Sequence, residues 1–309
     1  MSAAILSPQH LNIILMVVFI IIAVFGFFTL LHIALCTPGH MRHYGYFLLN
    51  INFWFYLTAL LSCVKYTEIM NIDGKLCFEI HMIITVPLLS SIVYSIFSVL
   101  SLFCSYLAIL LTFIFLMLRV VLPQFLHKIR SWMGLLVVVV IQFGISGFMA
   151  FITTHSFTPS SGPQQVLCVT GGDRFFTLIV ISLTQIVIVS VLLIVIIVII
   201  VKKMKIQKVS QQTRKLQRML LKTLVITALI PILFKSIPSL VASVALVKQW
   251  PELMSIQILT SLLTPVQAIA NGIATLLCVR CYREKLWKLT TFWRQDNYKV
   301  FNVVSTFGV

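Results

Sequence analysis

The sequence contains very little negative charge and few charged residues of any kind. Only 7 of its 309 residues are Asp or Glu, against 23 Lys or Arg, and charged residues make up 10% of the chain. Hydrophobic residues make up 60%, and the mean hydropathy is +1.07. Soluble domains carry about 25% charged residues, so this composition excludes a soluble protein of ordinary design.

Catalytic and metal-binding motifs are also missing. The chain has no Gly-x-Ser-x-Gly elbow, no His-Glu-x-x-His pair and no paired carboxylates, and intramembrane hydrolases need a motif of this kind. No acidic residue lies deep in an apolar run, which argues against a proton- or sodium-coupled carrier, as does the lack of an internal repeat. We therefore expect no enzymatic activity, no metal site and no cofactor.

What the chain does contain is seven long apolar runs. Each has the ~20 apolar residues that a helix needs to cross ~30 Å of hydrocarbon. The runs predict an all-α, seven-transmembrane helix bundle, followed by a tail over 280–309. Their bounds are 11–35, 45–64, 78–118, 132–151, 175–201, 220–247 and 253–279.

The positive charge is sorted onto one side of these runs. Eighteen of the 23 Lys and Arg residues follow runs one, three, five and seven, whereas four follow runs two, four and six. Because cytoplasmic loops retain Lys and Arg, this asymmetry predicts an outside N-terminus and an inside C-terminus. The net charge of +16 is therefore concentrated at the inner face, where it suits an anionic lipid leaflet or an acidic cytosolic partner rather than nucleic acid.

The third run, 78–118, is about twice as long as one crossing requires, since its helix would extend ~60 Å. A division into two spans would give eight helices and an inside N-terminus, which the charge distribution also tolerates. That division needs a turn near Phe103–Tyr106, where the sequence has no Gly, Pro or charge. We predict one long helix that projects into the cytosol, with the eight-span arrangement as the alternative.

Two basic segments lie at the inner ends of helices six and seven. The segment Lys202–Lys222 has apolar residues at helical spacing among its cations, which predicts a cytosolic, helical extension of helix six. Over 282–294, Leu286, Leu289 and Trp293 share one helical face. This segment is predicted to be a short amphipathic helix on the inner leaflet.

Lys235 is the ionisable residue farthest inside a run, between Pro231 and Pro238. A lysine in hydrocarbon is costly and usually marks a functional site. We predict that Lys235 contacts a ligand, together with Tyr94 on a hydroxyl-rich face of helix three and Gln267 in helix seven. The alternatives are a lysine that extends to water or binds a carbonyl freed by a proline, and polar groups that only join helices. With no deep carboxylate in the chain, an acidic ligand group or a hydrated cavity is the simplest partner.

Three stretches resemble nematode serpentine chemoreceptors, most of all class h and class i of the Str superfamily. They read HIALCTPGHMRHYGYFLLNINFWFYLTALL, TRKLQRMLLKTLVITALIPILFKSIPSLV and NGIATLLCVRCYREKLWKL. The matching residues in them are Thr37, Pro38, Met41, Leu48, Leu49, Asn50, Phe53, Trp54, Thr213, Leu216, Gln217, Leu220, Pro231, Pro238, Tyr282 and Arg283. Outside these stretches, Arg119 with Leu122 and Pro123 resembles the family's basic turn after helix three.

The chain also departs from related patterns. The acidic-Asn-Arg signature of class h members is missing around Leu111–Arg119. The Asn-Pro-x-x-Tyr motif of rhodopsin-like receptors is missing as well, since Gly272 and Ile273 follow Asn271. The standard activation switches are therefore not expected.

The resemblance implies a G-protein-coupled receptor in the plasma membrane, at the cilia of sensory neurons, that detects small external molecules. Short outer connections agree with a small ligand held between helices, and the basic inner face agrees with an acidic partner. We expect Arg119, Arg214, Lys215 and Arg218 to contact a heterotrimeric G protein. The alternative is a seven-helix ligand-gated channel or carrier that uses no G protein.

Three cysteines have expected roles. Cys77 and Cys168 lie in outward connections, and the exoplasmic side is oxidising. Because a loop tied to the top of the third helix is a common device in seven-helix receptors, we predict a disulfide between them, with two unpaired thiols as the alternative. Cys281, beside Tyr282 after helix seven, is a candidate for palmitoylation.

Overall fold

A computed structural model describes most of the chain. The described residues are 8–72, 75–82, 88–121, 132–155, 157–159, 166–169, 172–206, 211–247, 253–288 and 291.

The described ranges form a helical bundle with the predicted seven long helices. A 3-10 turn at Gly39–Met41 joins the first two, and α6 contains a π-helical segment at Ile232–Ser236 between its two α-helical parts. A short helix over 280–288, α8, follows the bundle. The long helices are α1 Pro8–Cys36, α2 Arg42–Val64, α3 Leu88–Val121, α4 Trp132–His155, α5 Gly172–Ile206, α6 Gln211–Pro231 with Ile237–Val247, and α7 Leu253–Cys278.

Membrane crossing follows from length and apolarity. Six helices in the described ranges are long and apolar enough to span a bilayer, and α4 contributes a shorter apolar stretch, Leu136–Ile152. Large apolar side chains such as Val24 and Phe27 on α1 are 66% and 70% exposed, as expected for a surface that faces lipid. The chain is a multi-pass membrane protein with a seven-helix bundle.

A small antiparallel sheet, which the sequence analysis did not predict, lies among the connections. Its strands are β1 Lys65–Ile72, β2 Lys75–Met82, β3 Phe157–Pro159 and β4 Val166–Val169, in the order β1-β2-β4-β3. The prediction that the third helix begins at 78 is therefore wrong, because 78–82 belong to β2 and α3 begins at Leu88. Apolar and polar residues alternate over Phe78–Met82 with the period of two that favours a strand, and Pro87 precedes the helix.

The third helix is continuous, as predicted. Its 34 residues from Leu88 to Val121 pass through Phe103–Tyr106 without a break, so the eight-span alternative is wrong. At 1.5 Å per residue α3 is about 51 Å long, which exceeds the hydrocarbon thickness by about 20 Å.

The inner ends of helices six and seven differ in length from the prediction. The helical extension of α6 is present, since α6 begins at Gln211 rather than 220, and its Gln, Lys, Arg and Leu residues are strong helix formers. The amphipathic segment is helical over 280–288. Leu286 is half-buried in it, whereas Leu289 and Trp293 lie outside the described residues.

The densest part of the core lies where α2 packs against α1, α3 and α7. Leu48 and Ile51 of α2, Ile109 and Phe113 of α3 and Leu276 of α7 are buried there. Because lipid is as apolar as these side chains, close packing and interhelical hydrogen bonds must supply the association energy.

Polar residues of α2 make such hydrogen bonds. The Asn50 Nδ2 donates to Gln142 Oε1 of α4 at 3.0 Å, and the Gln142 Nε2 donates to the Cys104 carbonyl of α3 at 3.0 Å. The Asn52 Nδ2 donates to Thr275 Oγ1 of α7 at 3.2 Å. The side-chain amides of Asn50, Asn52 and Gln142 therefore join helices, as polar groups inside a transmembrane bundle commonly do.

Two glycines allow α1 and α7 to approach α2. A Cβ atom built on Gly272 would lie 1.9 Å from the Tyr56 Oη, and one built on Gly26 would lie 2.9 Å from the Tyr56 ring. The Tyr56 hydroxyl also donates to Thr29 Oγ1 at 3.2 Å. Tyr56 is thus held between two helices at positions where even a methyl group does not fit.

We expect Gly272→Ala to lower the unfolding temperature of the purified protein, because overpacking a well-packed core costs typically ~1–3 kcal/mol. Gly144→Ala is the matched control, since a Cβ there meets no atom within 4 Å. Adding Tyr56→Phe removes the clashing oxygen and should recover part of the loss, although it also removes the hydrogen bond to Thr29. Equal unfolding temperatures for the two glycine variants would contradict the packing argument.

Candidate ligand pocket and inner face

A cavity of about 260 Å³ lies between α3, α5 and α6. Three helices line it, and most of its wall is apolar. The lining residues are Leu102, Phe103, Tyr106 and Ile109 of α3, Val189, Ser190 and Leu193 of α5, and Ala228, Pro231, Ile232, Lys235, Ser236 and Ser239 of α6.

The α6 wall of the cavity is built on the π-helical segment. Pro231 has no backbone N–H to donate, and the helix widens directly after it over Ile232–Ser236. Single π turns inside α-helices occur frequently at functional sites. Here the widened turn places Ile232, Lys235 and Ser236 on the cavity wall, and Ser239 follows four residues after Lys235.

Lys235 is the cation of this cavity. Its side chain is half-buried, and it makes no hydrogen bond or ion pair with any residue in the described part of the chain. The sequence of α3 and α6 contains no acid, and the only acid of α5 is Asp173 in its first turn. Val189 marks the cavity level on α5, about 24 Å along the helix from Asp173.

Hydroxyl groups accompany the lysine. The Tyr106 Oη and the Ser236 Oγ lie 3.4 Å apart across the α3–α6 contact, and Ser190 adds a hydroxyl from α5. None of these three residues was among the predicted ligand contacts. Ser239 could have been found from its position four residues after Lys235. Ser236 depends on the π-helical segment, and Tyr106 and Ser190 depend on how α3 and α5 are rotated.

The other two predicted ligand contacts lie elsewhere. The Tyr94 hydroxyl donates to the Leu61 carbonyl of α2. Gln267 is 2% exposed within α7, and its Oε1 has no partner among the described residues. Of the predicted trio, only Lys235 lines the cavity.

The four predicted G-protein contacts also have different surroundings. The Arg214 guanidinium donates to the carbonyls of Met204 and Lys205, at 3.0 and 3.3 Å. It therefore caps the end of α5, where carbonyls lack helical partners. Lys215 and Arg218 are exposed, and Arg119 is half-buried in the last turn of α3.

The inner ends of α1 and α7 are tied together through Tyr282. Its hydroxyl lies 2.7 Å from Thr37 Oγ1, and its carbonyl lies 3.1 Å from the His32 Nε2. Burial raises the pKa of Tyr282 to about 12, so its hydroxyl stays neutral. Burial also raises the pKa of the neighbouring Cys281 thiol. The palmitoylation of Cys281 stays a prediction.

The strand register bears on the predicted disulfide. The side chains of Cys77 and Cys168 lie outside the described residues, but their backbones are paired directly between β2 and β4. Opposite residues of antiparallel strands have Cα atoms about 4.5–5.5 Å apart. This range falls within the ~4.4–6.8 Å that a disulfide spans.

We expect Cys77→Ala and Cys168→Ala each to lower the amount of protein at the cell surface, and the double variant to lower it no further. A single bond can be lost only once, so the two effects should not add. Surface labelling of tagged variants measures this directly. Losses that add in the double variant would mean that the bond is absent.

Part of the chain is similar to a known receptor family. Residues 173–286 match the family described as serpentine type 7TM GPCR chemoreceptor Srj. The match covers α5, α6, α7 and most of α8, and it is to Srj rather than to class h or class i. No curated protein matches the chain.

Proposed function

We propose that this protein is a chemosensory G-protein-coupled receptor that binds a small external molecule between α3, α5 and α6 and signals to a heterotrimeric G protein. The observation that carries the proposal is the cavity on the π-helical segment of α6. The α5 and α6 walls of this cavity lie within the residues that match a chemoreceptor family, and its α3 wall lies outside them. A cavity of about 260 Å³ lies just below the ~300–1,000 Å³ typical of drug-sized ligands, which suits a compact molecule.

The arrangement of α6 suggests how binding could be transmitted. The π-helical segment interrupts the regular hydrogen bonding of α6, and the cavity lies against it. Toward the inner end, the Tyr44 hydroxyl donates to the Leu220 carbonyl at 3.4 Å, and Arg214 binds the end of α5. A ligand that binds one position of α6 more tightly than another would shift the equilibrium toward that position, and the inner end of α6 would move with it.

The test is a screen of volatile and water-soluble small molecules in cells that carry the receptor and a G-protein reporter. We expect at least one compound to activate the reporter in receptor-bearing cells and not in cells without the receptor. Ligand-evoked current or solute flux that persists without any G protein would instead establish a channel or carrier.

The proposed function requires an outside N-terminus. An epitope tag at Met1 is expected to be accessible on intact cells, and a tag at Val309 only after permeabilisation, because the basic connections stay in the cytosol. An inaccessible tag at Met1 would overturn this orientation. The same tags can be used to locate the protein in sensory neurons, where the family resemblance implies the ciliary membrane.

A further inference from the structure

We propose that the ligand is a small organic anion, most simply a monocarboxylate with a compact apolar body, whose carboxylate pairs with Lys235. This inference rests on the proposed function, because it assigns the chemical class of the molecule that enters the α3–α5–α6 cavity. It is carried by the charge, the hydroxyl groups and the volume of that cavity.

The charge of the cavity is unbalanced. The Lys235 ammonium has no hydrogen-bond or ion-pair partner in the ranges that the structure describes, and the sequence supplies no acid at its level on α3, α5 or α6. A charge held away from water is costly unless it is paired. An anionic ligand would supply the missing charge, whereas a cationic ligand would be repelled.

Lys235 is too deep to reach water along its own helix. Twelve residues separate it from Val247 at the end of α6, and at 1.5 Å per residue this is about 18 Å. A lysine side chain can extend only a few ångströms along an apolar surface. Pairing inside the cavity therefore accounts for Lys235 better than extension to the membrane surface.

The hydroxyl groups suit a carboxylate. The ammonium has three donors, and the hydroxyls of Tyr106, Ser190 and Ser236 line the same cavity. A carboxylate has two oxygens with about four acceptor sites, so it can accept from the lysine and from neighbouring hydroxyls together. Hydrogen bonds in which the donor or the acceptor is ionised are roughly twice as strong as neutral ones.

The remaining wall limits the body of the ligand. Leu102, Phe103 and Ile109 of α3 and Val189 and Leu193 of α5 are apolar. The volume of about 260 Å³ is slightly smaller than that of pockets for drug-sized ligands, so the apolar body must be compact. A short aliphatic or single-ring aromatic acid meets this limit, and acids of about six to eight carbon atoms are the first to test.

The experiment compares acids with their neutral counterparts on the full-length protein in lipid nanodiscs. Straight-chain, branched and aromatic monocarboxylic acids of that size are tested beside the matching primary amides, with thermal unfolding as the measure of binding. We expect at least one acid to raise the unfolding temperature. Its amide should need a concentration at least about tenfold higher for the same rise.

Variants locate the effect. Lys235→Met and Lys235→Gln should lose the stabilisation by the acid, whereas Lys235→Arg should keep part of it. Lys222→Met is the matched control, since Lys222 is exposed on the same helix and is not among the residues that line the cavity, and it should behave like the unmodified protein.

The proposal is overturned if no acid in the set binds, if amides bind as well as acids, or if Lys235→Met binds the acid unchanged. The acid–amide comparison on the unmodified protein decides the question even if a variant fails to fold. Acid binding that depends on Lys235 without any G-protein activation would overturn the proposed function and leave this inference standing.

Discussion

Replacing Lys235 with methionine is expected to leave the receptor folded and at the cell surface but to abolish its response to the compound that activates the unmodified protein. Methionine has a similar length and flexibility, so the wall between α3, α5 and α6 should keep its shape. The change removes an ammonium that has no partner among the described residues, so the unfolding temperature without ligand should stay equal or rise.

The measurement is a dose–response curve in the reporter cells, with surface expression determined on the same cells. The pocket assignment is supported if Lys235→Met reaches the surface normally but gives no response, or needs an effective concentration at least about tenfold higher. Lys222→Met controls for the loss of one positive charge on α6. An unchanged curve for Lys235→Met would show that the lysine does not contact the ligand and that the pocket lies elsewhere.

The helical bundle could be predicted because its signals are local. A run of ~20 apolar residues has few structures open to it in lipid, where each backbone group must be bonded within the segment. The amino-acid pattern also indicated that α6 continues below the membrane, and the structure begins that helix at Gln211.

The sheet and the start of α3 could not be obtained in the same way. The apolar character of 78–82 continues that of the helix that follows, and hydropathy alone does not separate a strand from a helix. Besides its neighbour β1, strand β2 pairs with β4, about 90 residues later, so the pairing of Cys77 with Cys168 depends on contacts far apart in the sequence. The local indications were the alternation over Phe78–Met82 and the Asp73-Gly74 pair between β1 and β2, a dipeptide typical of two-residue hairpin turns.

The site was predictable where chemistry singles out one residue. Lys235 could be selected because an ionisable group inside an apolar run is rare, and the structure places it on the cavity. Tyr94 and Tyr106 cannot be ranked by sequence alone, because each is a tyrosine on α3 and the rotation of that helix decides which one faces α6. The structure places Tyr106 there and directs Tyr94 toward α2.

The inner face shows the same limit. Arg214, Lys215 and Arg218 look equivalent as cations at the start of α6, but the structure divides them. Arg214 binds carbonyls at the end of α5, whereas the other two are exposed. A test of partner binding should therefore leave Arg214 in place, because its reversal would also break the contact between α5 and α6.

Reversing Lys215 and Arg218 together to glutamate is expected to abolish G-protein activation while leaving folding and ligand binding intact. Exposed charges contribute little to stability, with changes usually within about 0.5 kcal/mol. Complementary charge governs the rate and specificity of association, so two reversals at the inner end of α6 should repel an acidic partner. Guanine-nucleotide exchange by purified receptor and G protein measures the effect, and ligand-induced thermal stabilisation checks binding.

The matched control is Lys285→Glu with Lys288→Glu on α8, which changes the net charge by the same amount at two exposed positions. If only the α6 pair abolishes exchange, the contact is specific to the helix that lines the ligand cavity. If both pairs weaken exchange equally, the effect is one of overall charge at the inner face.

The alternative is that Lys215 and Arg218 serve only to keep this end of the chain in the cytosol. In that case exchange should survive the α6 reversals whenever the tag at Met1 remains outside, and the assignment of these residues to a G-protein contact would be wrong.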